Sequence, residues 1–95
     1  MPEIYRIHGI KIYINFNDHA PPHIHAQYEG SWALFEISDG SLLAGRLDRL
    51  AMSVVKKWVR ENHDEVLAAW NRAAAGEDPG KVGHVKRSKL RRQPR

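Results

Sequence analysis

The 95-residue chain contains no cysteine, which removes disulfides, thiolate nucleophiles and sulfur-ligated zinc from consideration. It also has no apolar run approaching the ~18 residues that a membrane-spanning helix requires. The opening Met1-Pro2-Glu3-Ile4-Tyr5-Arg6 lacks the charged-then-apolar plan of a secretory leader, so the expected compartment is the cytoplasm, with no membrane partner. A glycine-rich phosphate loop, a Gly-x-Ser-x-Gly elbow, a His-Glu-x-x-His pair and internal repeats are all missing, which argues against nucleotide kinases, serine hydrolases and zincins. What remains is a chain of ordinary globular composition, 42% hydrophobic and 27% charged, long enough for one core and no second.

The formal charge of +4 is unevenly distributed. Residues 81–95 hold seven cations and no acid, whereas residues 1–80 hold eight cations against eleven acids, a net −3. The body is mildly acidic and the C-terminal end strongly basic. Attraction to phosphate by bulk charge is therefore expected from the tail, through Lys86, Arg87, Lys89, Arg91 and Arg92.

The first half of the chain alternates with the period of two that marks strands. Ile10, Ile12, Ile14 and Phe16 share one face and Lys11, Tyr13 and Asn15 the other. Alternation resumes at His23, placing Ile24, Ala26 and Tyr28 inward and His23, His25, Gln27 and Glu29 outward. Glu29-Gly30 reads as a tight turn, and Asp39-Gly40 more strongly as a type I′ hairpin turn. From Leu47 the period changes to 3.6. Leu47, Leu50, Ala51, Val54, Val55, Trp58 and Val59 form one stripe on a helix starting near Asp48. Asn62-His63-Asp64-Glu65 has the pattern of a capping box ahead of a second helix carrying Val66, Leu67, Trp70, Ala73 and Ala74. The expected fold is α+β: an antiparallel meander of four to five strands followed by two helices packed on one sheet face. Residues 1–78 are expected to form the domain, and residues 79–95 a flexible basic tail.

Chemistry concentrates in Asn17-Asp18-His19-Ala20-Pro21-Pro22-His23-Ile24-His25-Ala26. Two histidines two apart on a strand point the same way, about 6.5–7 Å apart along the chain. Asn15 and Tyr13 would neighbour them across an antiparallel pairing. Three readings compete. His23, His25 and either His19 or Asp18 form a three-ligand site for zinc, copper or nickel with one position open. Alternatively the histidines act without metal as general acid and base on a phosphodiester, with Arg6, Lys11 or Arg46 stabilising the developing charge. In the third reading the prolines stiffen the loop and the histidines bond its backbone or contact a protein partner.

Phe16 to Ala26, read as Phe-Asn-Asp-His-Ala-Pro-Pro-His-Ile-His-Ala, resembles the motif of a family of small bacterial proteins, the domain-of-unknown-function family four-one-six-zero. Met1-Pro2, Ile4, Gly9-Ile10 and the helices carrying Trp58 and Trp70 are similar to its pattern, and the resemblance covers about residues 1–78. It implies a partner, a small protein encoded by a neighbouring gene, in a toxin–antitoxin-like pair. The basic tail departs from the family's usual ending.

Among the other residues, His8 reads as a turn residue, His63 as a surface residue, and Trp58 and Trp70 as core. Alternation puts Trp32 on the polar face beside the histidines, where it would stack a base, anchor a partner helix or, equally, lie under the N-terminal segment as a sheet-face residue. The leading expectation is a cytoplasmic component of a two-gene toxin–antitoxin-like module that binds or cleaves RNA (or binds DNA through the tail), with Asp18, His19, His23 and His25 as its working site. A ribonuclease using histidine acid–base or metal-assisted chemistry is the enzyme it would be. The alternatives are a zinc- or copper-binding regulatory or adaptor protein and a pure protein-interaction module.

Overall fold

The computed structural model describes residues 1–84; Lys86, Arg87, Lys89, Arg91 and Arg92 lie outside the described residues. Five strands come first, β1 (Glu3–Ile7), β2 (Ile10–Tyr13), β3 (His23–Tyr28), β4 (Ser31–Glu36) and β5 (Leu42–Gly45). Two helices follow, α1 (Arg49–Glu61) and α2 (His63–Ala74). The strands pair antiparallel in chain order, β1-β2-β3-β4-β5, so the sheet is a meander and the expected α+β architecture holds.

Local chemistry sets the hairpins. β1–β2 turns through His8-Gly9 and β3–β4 through Glu29-Gly30, with both residues of each pair at positive φ. That is the type I′ geometry whose twist matches the flanking strands. Asp39-Gly40 turns differently, since only its glycine has positive φ. Ile37–Ser41 forms a longer loop, because the Asp39 carboxylate accepts from the Ser41 amide and the Gly40 amide bonds back to the Glu36 carbonyl. An aspartate that can bond its own backbone has an alternative to the left-handed conformation.

The helices cover one sheet face. Ile4, Ile12, Ile24, Ala26, Ala33 and Phe35 from the strands are fully buried with Val55, Val59, Val66, Ala69 and Ala73 from the helices. α1 begins next to Asp48, as expected, and the Asp48 side chain caps it by accepting from the Ala51 amide. Three members of the expected stripes are exposed: Ala74 at the end of α2, Phe16 and Leu50. Phe16 is 45% exposed, because β2 stops at Tyr13 and the chain turns at Asn17. Leu50 is 74% exposed; it lies in the first turn of α1, beside the buried Ala51 rather than on the same line as Leu47, Ala51 and Val55.

The junction between the helices also departs from expectation. Asn62 makes no side-chain cap bond to α2. It is buried, its amide donating to the Trp58 carbonyl at 2.9 Å and the His84 carbonyl at 2.8 Å, while its oxygen accepts from the His84 amide at 3.1 Å. Glu65, the other half of the expected box, accepts instead from the Gly83 amide at 2.7 Å. Packing therefore continues past residue 78. Pro79 is buried, Val82 donates to the Ile4 carbonyl on β1, and Gly83 lies so close to Trp58 that a Cβ there would collide with the indole. A capping motif is a local pattern, and a chain segment arriving from 20 residues away can outbid it when it supplies both a donor and an acceptor.

Replacing Asn62 with Ala strips the bonds to Trp58 and to both backbone groups of His84. The expected cost is about 2 kcal/mol, a fall in melting temperature of roughly 8–16 °C by circular dichroism. A shift below ~3 °C would show that the clamp contributes little.

Candidate functional site

The site forms where β2 ends and β3 begins. Between them the chain leaves the sheet, crosses to the end of α2, where the Asn17 amide donates to the Ala73 carbonyl, and returns through a cis Ala20–Pro21 peptide. This excursion turns Asp18 back over the start of β3. One carboxylate oxygen, Oδ2, then lies 3.0 Å from His23 Nε2, 3.3 Å from His25 Nε2 and 3.4 Å from the Asn15 amide nitrogen. Its other oxygen accepts from the His19 backbone amide at 2.9 Å.

The two histidines are held differently. His23 is buried, its ring 5.2 Å from that of Trp70 on α2 and 5.1 Å from that of His25. Its Nδ1 lies 2.7 Å from the Pro21 carbonyl oxygen. A carbonyl only accepts, so Nδ1 carries the hydrogen and donates it. In a neutral ring Nε2 is then a bare lone pair facing a carboxylate oxygen at 3.0 Å. Two acceptors at that distance call for positive charge between or upon them, supplied by a second ring proton or by a cation. His25 is partly buried and pairs with Tyr13 across β2–β3, as the alternation suggests. Its Nε2 is shared between Asp18 and the Asn15 amide at 3.4 Å.

Asp18 is poised as an anion. Burial pushes its carboxyl up, but the His19 amide, the His25 ring, the attraction of His23 and the Asn15 amide together hold it below the ordinary aspartate value. One ligand atom from each of Asp18, His23 and His25 falls within 4.8 Å of the other two, and this is the group of metal-ligating side chains that the described residues bring together.

His19 is not part of that cluster. Its side chain is 94% exposed, with Nδ1 3.2 Å from Asp18 Oδ1 on the outer side of the carboxylate. The alternation that placed His23 outward also needs correction, since the returning loop and Trp70 close over it. Trp70 reads from sequence as core only; no local signal announces that a residue 47 positions later forms one wall of the His23 pocket. Trp32 is half-exposed on the uncovered sheet face, its ring 5.6 Å from that of Tyr13. His84 is pinned at Asn62 and His63 at Asp64, both outside the cluster.

A family model described as "Domain of unknown function (DUF4160)" matches residues 9–71, a span that includes all of Asp18, His23, His25, Tyr13, Trp32 and Trp70. No curated protein and no solved structure matches the chain.

The contrast between the two flanking histidines is measurable without any ligand. His23→Ala removes a buried ring packed on Trp70 and the nearest side-chain partner of Asp18 Oδ2, and should lower stability by about 2 kcal/mol. His19→Ala should change it by less than ~0.5 kcal/mol. Equal effects in chemical denaturation would contradict the packing described.

Proposed function

The chain belongs to the DUF4160 family, and we propose that within it Asp18, His23 and His25 bind a divalent transition metal, zinc or copper by the character of the donors. The observation that carries this reading is the convergence of three ligand atoms within 4.8 Å. Zinc–nitrogen and zinc–oxygen bonds near 2.0–2.1 Å in a tetrahedron separate neighbouring ligand atoms by about 3.3 Å. The contacts from Asp18 Oδ2 to the two imidazoles are 3.0 and 3.3 Å. A cation in the cluster also resolves the meeting of His23 Nε2 with the carboxylate.

The surroundings support the same reading. The Pro21 carbonyl fixes the His23 tautomer so that Nε2 is the ligating nitrogen, the role that an outer hydrogen bond plays around metal-bound histidines. The Asn15 amide lies 3.4 Å from both Asp18 Oδ2 and His25 Nε2, so it holds the two ligand atoms together until a cation takes its place. Three protein ligands leave a coordination position open, and a metal held this way supplies Lewis acidity and an activated water. Exposed His19, beside the carboxylate, is placed to exchange protons with solvent. Metal-free acid–base catalysis fits the geometry less well. It needs two imidazoles on either side of a reacting group, whereas here both Nε2 atoms meet at one carboxylate oxygen and His23 is buried.

The wider role in this proposal is a cytoplasmic, toxin–antitoxin-like component that acts on RNA alongside a small protein encoded by a neighbouring gene. What supports it is the family resemblance and the cationic composition of residues 81–95. No helix among the described residues is long and apolar enough to cross a membrane.

Untagged protein should carry about one equivalent of zinc or copper by elemental analysis after dialysis against the metal. Asp18→Ala, His23→Ala and His25→Ala should each lose most of it, by 10-fold or more in affinity, while His19→Ala retains it. Wild-type protein that stays metal-free sinks the proposal and leaves an Asp18–His23 ion pair as the account of the cluster.

A further inference from the structure

The helices cover one face of the sheet; the other is open, and its pairing register shows what it presents. Lys11 on β2, Gln27 on β3 and Trp32 on β4 are successive cross-strand partners. The next row toward the metal cluster is Tyr13, His25 and Leu34. Tyr13 and Trp32 thus stand on the two strands flanking β3 and lean over it, their rings meeting at 5.6 Å with a 35° tilt. Beneath the pair lie Gln27 and His25. One of these is a metal ligand in the reading above.

Three chemistries are therefore contiguous along about two residues of strand. The Asp18–His23–His25 cluster, with its open coordination position, takes an oxyanion. The Tyr13–Trp32 pair offers an aromatic surface, with Trp32 39% exposed. Lys11, which makes no ion pair among the described residues, adds a cation on the far side of Gln27, whose amide can both donate and accept. A ligand matching this order carries an anionic group, a flat π-system and a second anionic group. Leu34 is the apolar residue in the row of Tyr13 and His25, and the other positions around the pair (Arg6, Lys11, Gln27, Glu36) are polar or charged, so the face offers little of the apolar area that the core of a protein interface uses.

We infer that this open face is a binding site for single-stranded nucleic acid, with a nucleobase stacked on Trp32 against Tyr13 and the adjoining phosphate directed to the Asp18–His23–His25 metal. Sheet-borne aromatics that stack bases bind with little dependence on base identity, because every base has a π-face. Gln27 and Lys11 are the groups that reach the base edge and the following phosphate. The inference rests on the metal reading for its phosphate contact and on the sheet register for its base contact, and the two can fail separately.

Trp58 and Trp70 are buried, at 2% and 7% exposure, but Trp70 packs on His23, so the part of the tryptophan quenching that Trp32→Phe abolishes is the part that reports base stacking on Trp32. The probe is a single-stranded oligoadenylate RNA of roughly eight nucleotides, titrated into metal-loaded full-length protein, with inorganic polyphosphate as the base-free comparison and metal content measured in parallel. The expected result is saturable quenching by RNA and none by polyphosphate. Trp32→Ala should weaken RNA binding roughly tenfold while keeping its metal, and Trp32→Phe should recover most of the affinity. RNA binding unchanged in Trp32→Ala, or binding without quenching, overturns the inference and assigns RNA binding to another part of the chain, such as the cationic residues 81–95; no RNA binding at all overturns it too and leaves this face to a protein partner. Quenching that persists in metal-free protein with unaltered affinity overturns the phosphate contact alone.

Discussion

Two helices, each with a single apolar stripe, can cover only one face of a five-stranded sheet. That constraint organises the molecule. The inward residues of all the central strands, from Ile12 to Phe35, are sealed against Val55, Val59, Val66 and Ala69. The outward residues stay accessible and are free to carry chemistry: Lys11, Tyr13, His25, Gln27 and Trp32 occupy that face in register. Because pleating sends alternate residues to opposite faces, the same strands that build the core also present the site.

The connection between β2 and β3 is where the two layers meet. A two-residue turn there would have continued the hairpin and left His23 in solvent. Instead the chain runs nine residues between Tyr13 and His23, touching Ala73 at the end of α2 on the way. Asp18 returns over the histidines with its carboxylate already occupied by the His19 amide, and His23 is enclosed between that carboxylate and Trp70. A partly buried carboxylate among imidazoles is most stable when charge is balanced within the cluster, since an unpaired charge shielded from water is costly. Either protons or a metal must provide that balance. The position of the ring hydrogen on His23, held at the Pro21 carbonyl, leaves Nε2 as the atom through which it is provided.

Much of this was legible in the residues themselves. Alternation at Ile10, Ile12, Ile14 and at Ile24, Ala26 identified the buried faces, and the period change after Leu47 located the start of α1 near Asp48. The His23-x-His25 pair announced a cluster, and its antiparallel neighbours Tyr13 and Asn15 followed from the pairing. Other features were closed to such reading because they join residues distant in sequence. Nothing local separates Asp18 from His19 as the third member; the return path of the loop makes the choice. Asn62 and Glu65 carry the pattern of a capping box, yet both serve residues 83 and 84, whose arrival no helical period foretells. Phe16 and Leu50 match their periodic templates and still lie at the surface, because a period states which way a side chain points and not whether anything stands opposite.

Sequence alone therefore determined the element types, their order, the sheet's buried face and the presence of a histidine-rich segment, since these depend on propensity, periodicity and residue type over a few neighbouring positions. Tertiary structure decided which acid joins the histidines, which nitrogen of His23 is available, and that Trp32 and Tyr13 meet beside His25. Those outcomes depend on how segments 10 to 60 residues apart approach one another. Distances of 3 Å between such segments are set by the packing of the whole core, and no local rule contains them.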